Sequence, residues 1–102
     1  MWDLCKDDID YTDAMRGSQW VYVALKDKYR MLKYSGDADG SVPTWGTRGW
    51  INELNWDITE EWRPYSVGGT SVQVAGYVET RSNGNFVLGT VHGAGHMAPQ
   101  WK

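Results

Sequence analysis

Two residues in this chain have the type and placement to carry acid–base chemistry, Asp39 and His96. Each follows a stretch that reads as a strand, and each lies in a polar, glycine-containing loop. In open α/β sheets, ligands and reacting groups collect at the carboxyl ends of strands. A histidine there can act as a general base, because its unperturbed pKa lies near neutrality. A carboxylate that accepts the proton of its far ring nitrogen fixes the tautomer and stabilises the imidazolium, and this is the role that fits Asp39. Gly93 and Gly95 would let the chain turn sharply beside the base. The competing reading makes Asp39 a turn-forming residue and His96 a satisfied polar group.

A Ser/Asp/His site also needs a nucleophile, held on a strained elbow of the form Gly-x-Ser-x-Gly. None of the six serines qualifies: Ser18, Ser35, Ser41, Ser66 and Ser82 lack a glycine two residues before, and Ser71 has Gly69 before it but Gln73 after it. In α/β-hydrolases the chain order is Ser, then acid, then His, so an acid and a histidine without the serine are what a C-terminal piece would hold. Metal readings fit less well. Asp37, Asp39 and Ser41 imitate the opening of a calcium loop, but Val42 and Arg48 stand where that loop needs Gly and Glu. His92 and His96 have the spacing of a zinc helix, yet Gly93 and Gly95 argue against helix there. Asp7, Asp8 and Asp10 read as a solvated loop before a helix.

The elements that must position Asp39 and His96 alternate helix and strand, which favours a parallel or mixed sheet. A first helix is expected from Thr12 to Lys26, weakened by Gly17 and Ser18. A strand over Tyr29 to Tyr34 leads into the turn-rich run Ser35 to Gly40. Pro43 and Thr44 open a second helix to about Asn55, with Trp50, Ile51 and Leu54 on one face. Trp56 to Gly69 reads as a connection. Two strands, Ser71 to Thr80 and Asn85 to Val91, then flank Ser82, Asn83 and Gly84 as a hairpin. Pro99 could open a helix, but too close to the last residue for one to form.

The chain has 102 residues, enough for one small domain. Its net charge of -3, with Lys and Arg scattered, supplies no basic stripe for nucleic acid. No apolar run reaches the length of a membrane span, and Met1 to Lys6 lacks the apolar middle of a signal peptide. Cys5 is the lone cysteine, either a free thiol or half of a bridge to something outside the chain. Seven Trp and six Tyr against one Phe is a skewed aromatic set. A sugar-stacking platform is one reading of Trp45, Trp50, Trp56, Trp62 and Trp101; packing is the better default, with Trp50 on the core-facing stripe.

The motifs are specific enough for a family resemblance. Tyr34-Ser35-Gly36-Asp37-Ala38-Asp39-Gly40-Ser41-Val42-Pro43, continued by Thr47, Arg48, Trp50 and Ile51, resembles the segment of serine carboxypeptidases that holds the triad aspartate. Val91-His92-Gly93-Ala94-Gly95-His96-Met97-Ala98-Pro99-Gln100 resembles the segment with the triad histidine. Trp2-Asp3-Leu4-Cys5-Lys6-Asp7-Asp8, Trp62-Arg63-Pro64-Tyr65 and Gly76-Tyr77 extend the likeness over nearly the whole chain, which would form about the last quarter of a family member.

The resemblance implies residues 1–102 as a single incomplete domain, the C-terminal portion of an α/β-hydrolase fold. It makes Asp39 and His96 catalytic, places Met97 beside the departing residue of the substrate, gives Asp37 a loop-shaping role and pairs Cys5 with a cysteine far upstream. His92 departs from the basic residue common at its position. The parent would be a serine-type carboxypeptidase acting on the C-terminus of peptides and proteins, without metal or cofactor, in the secretory pathway, lysosome or vacuole or outside the cell. This chain alone would be inactive for lack of the serine. The alternatives are a serine carboxypeptidase-like acyltransferase, a non-catalytic homologue, and an unrelated Trp-rich carbohydrate-binding module.

Overall fold

The structure, a computed structural model, describes residues 8–12, 17–67 and 73–101. In chain order the elements are α1 (Gln19–Leu25), β1 (Met31–Gly36), α2 (Thr44–Glu53), β2 (Ile58–Ser66), β3 (Val74–Arg81), β4 (Phe86–Val91) and α3 (Ala98–Trp101). The strands form one mixed sheet in the order β1-β4-β3-β2. β1 runs parallel to β4, whereas β4 pairs antiparallel with β3, and β3 with β2. The mixed α/β class expected from the alternating pattern is the class observed.

Alternation of side chains across the pleat puts Met31, Phe86 and Arg81 in one row of the sheet and Lys33, Leu88 and Glu79 in the next. Ile51 of α2 closes on this face to form a core with Phe86 and Leu88, and Tyr22, Met31, Trp50, Trp56 and Trp62 pack around it. Trp50 is half-buried and tilts against Tyr22 with ring centroids 4.9 Å apart. Trp45 is different: it is 77% exposed, lying over the Arg48 guanidinium. Trp62 stacks on Tyr77, and the Arg48 guanidinium also lies over the Trp62 ring, 4.5 Å from its centroid. Most of these tryptophans therefore pack, as expected, and Trp45 does not.

A buried ionic network fastens α2 to β3. Arg81 Nε donates to Glu79 Oε1 at 2.8 Å, and its Nη2 donates to Asn52 Oδ1 of α2 at 2.6 Å. Glu79 and Arg81 are 3% and 4% exposed, so their mutual pairing offsets a desolvation cost that neither charge could bear alone. Sequence periodicity gave no hint of a buried Glu on a strand.

Four elements differ most from expectation. α1 begins at Gln19 and not at Thr12, which is not helical; Gly17, at φ 63°, sits in the left-handed region and interrupts any helix that would pass through it, while residues 13–16 lie outside the described residues. Residues Trp56 to Gly69, read as a connection, contain β2. This edge strand is mostly exposed, carries register shifts on either side of Glu60 and after Tyr65, and includes Pro64, which an edge tolerates. Pro99 lies inside a one-turn helix that does form, α3. β1 also ends two residues later than expected, at Gly36, because Ser35 and Gly36 pair with Thr90 and Val91.

Candidate active site

Parallel pairing decides where the loops meet. β1 and β4 are adjacent and point the same way, with Gly36 opposite Val91, so the loops that follow them leave the same end of the sheet together. The Asp37 N–H donates to Val91 O at 3.0 Å, and the Ala38 N–H donates to Ala94 O at 3.0 Å, tying one loop to the other. Gly36 allows this contact: a Cβ there would overlap the carbonyl oxygens of Ala94 and Gly95. Its lack of a side chain lets the two backbones touch. Thr44, at the start of α2, closes the first loop from behind by donating to Gly36 O at 3.4 Å.

Within this frame Asp39 lies beside His96. Asp39 Oδ2 and His96 Nδ1 are 3.1 Å apart, and Asp39 Oδ1 accepts the N–H groups of Ser41 at 2.8 Å and Val42 at 2.9 Å. The Val42 N–H is the main reason the Asp39 carboxyl is held below the usual carboxylate range; burial pulls the other way, and His96 and the Ser41 N–H add to the lowering. An ionised carboxylate only accepts hydrogen bonds, so Nδ1 must carry the proton in this pair. Nε2, on the far side of the ring, is then the basic nitrogen of the neutral imidazole. The Asp39 side chain is 5% exposed and that of His96 59%, an arrangement in which the acid is enclosed and the base is accessible.

His96 and Asp39 line a cleft of about 430 Å³ together with Leu32, Tyr34, Ser35 and Val42. Met97 follows His96 and is exposed, but it is not among the residues lining this cleft. His92 and His96 lie in turns and bends and not on a helix, so their four-residue spacing does not bring them together as a helical pair. Each histidine instead faces a different aspartate: His92 Nδ1 is 2.8 Å from Asp37 Oδ2. Asp37 thus reaches across to the second loop, a contact that motif reading, which gave it the shaping of its own loop, did not supply. The requirement for Gly36 was likewise missed; its place before the two acids was the available signal. Among the described residues no group of three or more His, Cys, Asp or Glu side chains is arranged to hold a metal ion, and no helix is long and apolar enough to cross a membrane. Cys5 and its expected pairing lie outside the described residues.

The chain is thus an α/β protein that sets a histidine–aspartate pair where two parallel strands end. The serine carboxypeptidase family model matches residues 1–102, and the chain belongs to that family. Among its relatives in Arabidopsis thaliana, it is 40% identical over 99 residues to serine carboxypeptidase-like 17, covering 95% of this chain and 22% of that protein. It is 39% identical over 98 residues to serine carboxypeptidase-like 1, covering 95% and 21%, and 35% identical over 102 residues to serine carboxypeptidase-like 7, covering 99% and 22%. The chain therefore spans about a fifth of the length of these relatives.

Proposed function

We propose that the chain is the C-terminal portion of an α/β-hydrolase domain of a serine-type carboxypeptidase, and that Asp39 and His96 are the acid and base of its Ser/Asp/His triad. The observation that carries this reading is the 3.1 Å contact between Asp39 Oδ2 and His96 Nδ1, with the acid enclosed and the imidazole open to a cleft. The serine belongs to the upstream part of the polypeptide, since no serine of this chain sits in a Gly-x-Ser-x-Gly elbow.

In the reaction, the serine oxygen attacks the carbonyl carbon of the last peptide bond while His96 Nε2 takes the hydroxyl proton. Collapse of the tetrahedral intermediate breaks the C–N bond, and the imidazolium returns that proton to the departing amino acid. Water then attacks the acyl-enzyme, gives a proton to Nε2, and the serine recovers it as the shortened peptide leaves. Asp39 remains ionised throughout and stabilises the imidazolium. Met97 contacts the departing residue. Cys5 bridges to an upstream cysteine, which requires an oxidising compartment and so a secretory, lysosomal, vacuolar or extracellular setting.

Labelling with a fluorophosphonate tests this assignment. The intact polypeptide should label and the 102-residue chain should not; labelling of the chain alone would contradict the upstream location of the nucleophile, and no labelling of the intact polypeptide would indicate a non-catalytic homologue. Turnover of a peptide supports the carboxypeptidase reading, whereas acyl transfer from an acyl-glucose without peptide hydrolysis would replace it with an acyltransferase.

A further inference from the structure

The first loop carries two aspartates that make the same pattern of bonds in different surroundings. Asp39 uses Oδ1 for the N–H groups of its own loop and Oδ2 for His96. Asp37 uses Oδ1 for the Gly93 N–H at 2.8 Å and Oδ2 for His92 Nδ1 at 2.8 Å, both on the opposite loop. His92 is not a second base for the same cleft. Its side chain is 71% exposed, and it lines a separate depression with Tyr65, Val74 and Val91. What Asp37 grips is the start of the segment that ends at His96.

That segment has reason to need a grip. Between β4 and His96 it contains Gly93, at φ 71°, and Gly95, two residues whose backbone is less restricted than that of any residue with a side chain. The Asp39 carboxylate is oriented by its own loop, and the backbone from which His96 projects is held to that loop by the Ala38 N–H to Ala94 O bond and by the Asp37 side chain. Asp37 supplies a charge-assisted acceptor to the Gly93 N–H, beside the Ala38 N–H to Ala94 O bond. We propose that Asp37 is a positioning residue: by holding Gly93 and His92, it sets the loop so that the Nδ1 edge of His96 meets Asp39. This rests on the triad reading above and deepens it, because a base misplaced by an ångström loses much of its effect.

Long-range proton–nitrogen NMR of the histidine side chains tests this in the 102-residue chain without any substrate. In the wild type, neutral His96 should carry its proton on Nδ1, and the Gly93 amide should be protected from hydrogen exchange. Asp37→Ala should lose the His96 Nδ1-bound proton signal, while Asp37→Asn, whose Oδ1 still accepts the Gly93 N–H, should retain it. Retention of that signal in Asp37→Ala, or its loss in both variants, overturns the positioning role. If Asp37→Ala does not fold, the wild-type exchange decides: a Gly93 amide exchanging at the rate of a free loop means that the clamp does not exist. Asp39→Asn separates the two ideas. A signal lost in Asp39→Asn but kept in Asp37→Ala removes only the positioning role, whereas a wild-type chain lacking the Nδ1 proton removes the Asp39–His96 pairing itself.

Discussion

At the scale of single residues, the site depends on how one carboxylate is solvated. Asp39 has exchanged water for two backbone N–H donors and an imidazole, and the Val42 N–H does most to favour its charged form. Because its folded pKa is lowered, the stability it contributes is complete above the unfolded Asp value, about 3.9, and is lost as the pH falls through the lower folded value. The Asp39 carboxyl carbon, followed by NMR on acidification, should therefore titrate below the Asp reference. A midpoint at or above the reference would mean that the hydrogen bonds to Ser41 and Val42 do not hold in solution. Both members of the pair were legible in the sequence, because their loops have distinctive motifs at the ends of apolar runs. Asp37 and Gly36 were legible only in part. Their importance lies in contacts with residues 93–95, more than fifty positions away, which no local pattern encodes.

At the scale of elements, the pairing of β1 with β4 brings the two loops to a common end, and Gly36 sets how closely they approach. Gly36→Ala should force β1 away from the Ala94 and Gly95 carbonyls, costing about 1–3 kcal/mol as an overpacking change and separating Asp39 from His96. A thermal melt together with the His96 tautomer checks this; an unchanged melt and tautomer would show the approach to be looser than described. The attachment of α2 makes a second prediction. Glu79→Ala leaves Arg81 buried without its anionic partner and should destabilise the chain by about 3–5 kcal/mol in urea unfolding, far more than loss of the exposed Glu60–Arg63 pair. A loss below about 1 kcal/mol would place Glu79 in solvent. α2, the β3–β4 hairpin and β4 were readable because apolar spacing, Pro43 and Asn83-Gly84 all pointed the same way. β2 was not, because its bulges and Pro64 erase the alternation that marks a strand and its exposure leaves few apolar positions to mark it.

At the scale of the whole molecule, the sheet is unevenly clothed. The face toward α2 buries Phe86 and Leu88, whereas Leu32 on the other face is 67% exposed and Tyr34 50%. These two residues, with Tyr65, Val78 and Val91, line an apolar depression of about 380 Å³. β1 is also the end strand of the sheet, with its outer edge unpaired by any described strand. A parallel pair is ordinarily covered on both faces, and an open edge invites pairing with another chain. The 102-residue chain should therefore associate with increasing concentration in sedimentation velocity, and Leu32→Lys should reduce that association. A chain that stays monomeric across the same range would mean that this face is compatible with water as it stands.

Under the proposed triad, His96 Nε2 is the nitrogen that meets the serine of the upstream part of the polypeptide. The most direct measurement is a crystal structure of the intact polypeptide, read for one distance. The account predicts an elbow serine with its Oγ within hydrogen-bond reach of Nε2, about 2.6–3.2 Å, while Nδ1 remains on Asp39. A structure in which Nε2 meets no serine, or in which His96 has turned away from Asp39, would contradict it.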